Sequence, residues 1–126
     1  MIDQVPDRPT LRPIVLGALY NLGGECSKQE LAEEIAEAFQ LSEKVRSETT
    51  AQGRNRLLNQ IDWVTGKDLG IGSLGLVVDH GHRVSLTPLG EKLIELFHEE
   101  EGWEIGRIET RIGQTKKKFP GIDRTP

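Results

Sequence analysis

At 126 residues, 36% hydrophobic and 29% charged, the chain has the length of one domain and room for a modest core. One Cys excludes an internal disulfide, no apolar run approaches the roughly 18 residues of a spanning helix, and the polar N-terminus lacks a signal-peptide core. A reducing, cytoplasmic setting without a membrane is therefore expected, and a formal net charge of -4 argues against a protein that coats nucleic acid by bulk charge.

Residues 1–10 hold Pro6 and Pro9 without apolar periodicity and read as a flexible N-terminal arm. From Leu11 the pattern changes. Leu11, Ile14, Val15, Ala18, Leu19 and Leu22 form the stripe of an amphipathic helix, with Thr10 as N-cap, Pro13 in its first turn and Gly23-Gly24 as its end. Ser27-Lys28-Gln29-Glu30 is a capping box that opens a second helix, with Leu31, Ile35, Ala38 and Phe39 on its buried stripe and Glu33, Glu34 and Glu37 on its other faces. Such an acidic element is poorly suited to lie against phosphates.

The polar stretch 40–53 is long for a loop, with a short helical turn near Ser42–Ser47. A third helix follows at about 54–69. Leu57, Leu58, Ile61, Val64 and Leu69 project to one side, whereas Asn55, Arg56, Asn59, Gln60, Lys67 and Trp63 lie off that stripe. The next segment, Asp68 to Val77, contains Gly70, Gly72 and Gly75 in the spacing G-x-G-x-x-G. A dinucleotide fingerprint needs a strand before the first Gly and a helix at the last, and here the order is reversed, which excludes that reading. Leu76–Asp79 and Arg83–Leu86 predict a β-hairpin around a Gly-containing turn. Thr87-Pro88 then opens a fourth helix over Leu89, Leu93, Ile94 and Phe97. Residues 99–126 carry Ile105, Ile108 and Ile112 at helical spacing, interrupted by glycines, and end in a basic tail around Lys116-Lys117-Lys118 that reads as unstructured.

The expected fold is mainly α with a small β-hairpin, and the order helix, helix, loop, helix, hairpin, helix is that of a winged helix-turn-helix over 11–98. Particular residues add to this. The run Leu11 to Glu43, then Gly53-Arg54, Asn59-Gln60-Ile61-Asp62-Trp63 and Thr87-Pro88-Leu89-Gly90, resembles the N-terminal winged-helix domain of Mrr-type restriction endonucleases. The resemblance implies a DNA-targeting domain of a modification-dependent restriction system, with a nuclease domain or subunit as partner. The segment Gly70–Leu74 departs from the family by carrying a few extra residues before the wing. No Asp or Glu stands two residues before any Lys, so the (D/E)-x-K element of a nuclease core is missing and no enzyme activity is expected within these residues.

Between Lys44 and Gln60, Lys44, Arg46, Arg54 and Arg56 stand against Glu48 alone, a local balance of +3. With the third helix as recognition helix, the expected contacts to double-stranded DNA are Lys44, Arg46, Arg54, Asn55, Arg56, Asn59, Gln60 and Lys67, joined by His82 and Arg83 at the tip of the 76–86 wing. Arginine and lysine would take phosphate or guanine, and the amides adenine. An ordinary solvated helix face and a polar turn are the plain alternatives. Trp63 is expected to pack under the first helix or the long loop. His80, His82, His98 and Cys26 make no credible zinc set, and neither metal nor cofactor is expected. The alternatives are a stand-alone transcriptional regulator of the same class, or a protein-interaction winged helix that uses the acidic second helix. In the latter, Ile105, Ile108 and Ile112 would pair two copies as a homodimer.

Overall fold

The computed structural model describes residues 4–68, 70–100 and 107–123. Helix α1 runs Arg8–Asn21, β1 Glu25–Ser27, α2 Lys28–Ala38, α3 Glu43–Arg46, α4 Arg56–Thr65, β2 Val77–Asp79, β3 Arg83–Leu86, α5 Pro88–Phe97 and α6 Ile108–Lys118. The protein is mainly helical with a three-stranded antiparallel sheet in the order β1-β3-β2.

Helix α1 begins one turn earlier than Thr10 suggested. Asp7 is the N-cap, its carboxylate accepting from the Thr10 N–H at 3.0 Å, so Arg8 to Thr10 belong to the helix rather than to a loose arm. The α1 helix packs against α2, α4, α5 and β3, which is why Leu16, off the expected stripe, is fully buried beside Leu11, Val15 and Leu19. Gly23 and Gly24, at φ +93° and +91°, turn the chain with a left-handed backbone that side-chain-bearing residues resist. That turn delivers β1, a strand too short and too polar to predict. Cys26 pairs with Val84 of β3, and both are buried.

The capping box of α2 is present in full: Glu30 N–H donates to Ser27 Oγ and Ser27 N–H to Glu30 Oε1, each at 3.0 Å. Leu31, Ala32, Ile35 and Ala36 face the core, whereas Ala38, expected inside, is exposed. The loop is shortened by α3, capped by Ser42, and by a bridge from Thr49 to Asn55. Helix α4 is four residues shorter at its end than expected, closing at Thr65, and Leu69 lies outside the described residues.

The glycine-rich segment folds back onto that end. Ile71 is fully buried and its N–H donates to Val64 O at 2.6 Å. A Cβ on Gly70 would stand 2.1 Å from Val64 O, and one on Gly72 would stand 2.5 Å from Thr65 O. These glycines are therefore there because backbone lies on backbone. They meet the carbonyl end of a helix, whose partial charge is negative and repels phosphate. The hairpin follows with Val77 opposite Leu86 and Asp79 opposite Val84.

The C-terminal segment departs most from expectation. The α6 helix is regular through Lys118 and packs on α5, burying Ile108 and Ile112 in the chain's own core. Arg12 of α1 donates to Glu109 at 2.7 Å, and the Arg111 guanidinium lies 5.0 Å from the Phe97 ring centroid. The basic run is the last turn of a helix, where cations suit the dipole. The two isoleucines are already covered within the chain, which removes the reason for assigning them to a dimer contact; Ile105 lies outside the described residues. Among the described residues no helix is long and apolar enough to cross a membrane.

Candidate nucleic-acid interface

Helix α4 is held at its start by side chains that the sequence offered as DNA contacts. Asn55 is its N-cap: the side-chain oxygen accepts from Leu58 N–H at 3.1 Å and Nδ2 donates to Arg46 O at 2.7 Å. Arg46 in turn donates through Nε to Leu41 O at 2.9 Å and is half-buried. Asn55 and Arg46 thus fix α3 and the loop to α4, and Asn55 has its oxygen and amide nitrogen already engaged. An Asn before an apolar helical stripe is a capping signal, and that local reading outweighs the base-contact one.

Arg56, Asn59, Gln60 and Trp63 stand at i, i+3, i+4 and i+7 on the side of α4 away from buried Leu57, Ile61 and Val64. Gln60 is engaged by the N-terminal segment: Arg8 Nε donates to Gln60 Oε1 at 3.0 Å, and Gln60 Nε2 donates to Pro6 O at 3.5 Å. The Arg8 guanidinium lies 4.5 Å from the Trp63 ring centroid. Trp63 is therefore covered on one face by the first turn of α1, rather than packed under it, and keeps 43% of its surface exposed. Lys67 is exposed beyond the end of α4, and Lys44 is exposed on α3.

Charge is arranged differently in space than along the chain. Arg54 pairs with Asp62, Arg56 with Glu48 at 3.5 Å, and Arg83 with Glu25 at 3.6 Å and Glu30 at 4.0 Å. The +3 balance read from 44–60 stops two residues short of Asp62, two helical turns from Arg54. All three arginines remain exposed, and exposed pairs of this kind hold their geometry weakly.

Lys28, Asp62 and Asp79 were not singled out by the sequence. Lys28 Nζ donates to Asp62 at 2.8 Å and to Asp79 at 2.9 Å, tying the start of α2 to α4 and β2. Burial pushes the Lys28 ammonium down, but the hydrogen bonds and charges of the two aspartates outweigh it and leave its pKa above the ordinary lysine value. For Asp79, burial pushes upward, and hydrogen bonds from Lys28 and the Gly81 N–H bring the net pKa below the ordinary aspartate value. The partners are 34 and 51 positions away, beyond any local pattern. One local signal existed: a cation at the first position of a helix opposes the dipole and calls for a compensating anion.

The hairpin turn is shaped by Gly81, at φ +91°, and by the Gly81 N–H bond to Asp79 Oδ1 at 2.8 Å. His82 gives its carbonyl to Lys28 N–H at 2.8 Å and exposes its ring. Arg54 and His82, predicted for helix and hairpin separately, line one cleft of about 460 Å³ with Ser27, Lys28, Leu58 and Asp62. Arg83, Lys44, Lys67 and Arg46 are not lining residues of that cleft. His80 Nε2 lies 3.0 Å from Ser85 Oγ, Cys26 is buried, and among the described residues no group of three His, Cys, Asp or Glu side chains is placed to hold a metal. No family model, no curated protein and no solved structure matches this chain.

Proposed function

We propose that this protein is a DNA-binding winged-helix module. In this reading α4 enters a groove of duplex DNA and the β2–β3 hairpin lies beside it as the wing. The observation that carries it is the outward face of α4, where Arg56, Asn59, Gln60 and Trp63 follow one another with Arg54 just before them. The order of helices and hairpin, with β1 completing a three-stranded sheet, supports the same reading. On binding, the exposed Arg54 and Arg56 exchange their half-buried carboxylate partners for phosphates, which releases DNA counterions. Asn59 offers an amide to a base edge.

Within this class, the resemblance of residues 9–97 to the Mrr N-terminal domain favours the targeting module of a restriction system over a free-standing regulator. Cleavage is then assigned to a nuclease domain or subunit outside these residues. A fluorescence-anisotropy titration of duplex DNA against salt tests the binding. Affinity should fall steeply with salt, and Arg54→Ala with Arg56→Ala should reduce the slope of log K against log salt by about 2. Absence of binding at about 50 mM salt, or an unchanged slope in the double variant, would overturn the reading.

A further inference from the structure

Trp63 and Val78 are the exposed large hydrophobic residues among those described. Val78 sits singly on an edge strand, but Trp63 forms part of a recess. With Gln52, Arg54, Asn59 and Asp62 it lines an open hollow of about 440 Å³ on the outward side of α4. One face of the indole is covered by the Arg8 guanidinium, which donates to Gln60, and the ring itself lines the hollow as a flat surface. Asn55 and Gln60 have their amides engaged, whereas no side-chain hydrogen bond within the described residues engages the amides of Gln52 or Asn59. Asp62, accepting from Lys28 through one oxygen and from Arg54 through the other, and Arg54 itself complete the rim as a bound pair.

We infer that this recess is a nucleobase site, in which Trp63 stacks on a base that has left the duplex while Asn59 and Gln52 meet its hydrogen-bonding edge. The site rests on the DNA-binding reading above and makes it more specific. A flat aromatic surface takes any base, and amides beside it read the edge that pairing would otherwise hide. Unstacking costs least at a mismatch, so the site should favour duplexes that carry one.

The test compares a matched duplex, the same duplex with one central mismatch, and the single strand, using the full chain in a Trp103→Phe background so that Trp63 is the sole indole. Expected are quenching of Trp63 fluorescence, tighter binding of the mismatched duplex, and loss of that preference in Trp63→Ala. That loss should amount to about 5- to 100-fold in affinity, with partial recovery in Trp63→Phe and an unchanged salt slope. Asn59→Ala, at a half-exposed position, is the second variant and should weaken the preference without affecting folding. Equal binding of matched and mismatched duplexes, or a preference that survives both Trp63→Ala and Asn59→Ala, overturns the nucleobase site and leaves DNA binding standing. No binding to any of the three DNAs overturns both.

Discussion

Lys28 occupies a position that is unfavourable on local grounds and favourable on tertiary ones. It stands first in α2, where the dipole opposes a cation, yet two carboxylates reach it from α4 and β2. Removing it leaves Asp79 without a cation and Asp62 with Arg54 alone, although both carboxylates keep some contact with water. Lys28→Met is therefore expected to cost about 2 kcal/mol, below the full penalty of a completely buried pair, as read from urea unfolding. Asp79 has a folded pKa below its ordinary value of 3.8, so its contribution is present above that value and is lost as pH falls through the lower folded one. Thermal unfolding followed from neutral pH down to pH 2 should show less acid destabilisation in Asp79→Asn than in the parent; an identical pH profile would remove Asp79 from the account. Residue roles that depend on a partner dozens of positions away, such as Gln60 with Arg8, were illegible in the sequence. Asn55 was read as a DNA contact although its capping signal is local, since capping needs only the next three residues.

At the scale of elements, several signals that lie within one turn were read as they fold, whereas the Asp7 cap of α1 and the Asn55 cap of α4 were not. Ser27 with Glu30, Thr87 with Pro88, and the Gly23-Gly24 stop all stand as expected. The β1 strand was missed because three residues carry no period, and its pairing is set by β3 almost sixty positions on. The helical spacing of Ile108 and Ile112 was legible, but the last turn of α6 was read as part of a loose basic tail, because glycines and a lysine run look unstructured until α5 supplies a surface to bury the isoleucines. Two glycine substitutions separate packing from propensity. Gly70→Ala forces a Cβ to within 2.1 Å of a helix carbonyl and should cost on the order of 3 kcal/mol. Gly113→Ala, inside α6 with nothing within 4 Å, should stabilise the protein by about 0.5 to 1 kcal/mol. Denaturant melts of the two variants give the comparison, and equal effects would contradict it.

At the scale of the whole molecule, the net charge of -4 and the basic window on α4 looked opposed in the sequence, and the structure explains how they coexist. Arg54, Arg56 and Arg83 each have a carboxylate nearby, and for Arg83 these include Glu30 of α2. Between α1 and α2 an apolar groove lined by Ile14, Gly17, Ala18, Ile35 and Ala38, with Glu34 at its edge, is the surface that a protein-interaction role would use instead. Amide chemical shifts of the labelled protein, recorded as duplex DNA is added at low salt, distinguish the two faces directly. Perturbations are expected to concentrate at 52–63 and 80–83, with the Trp63 indole N–H among the largest. Perturbations confined to 13–38, or none at all, would contradict the DNA-binding reading.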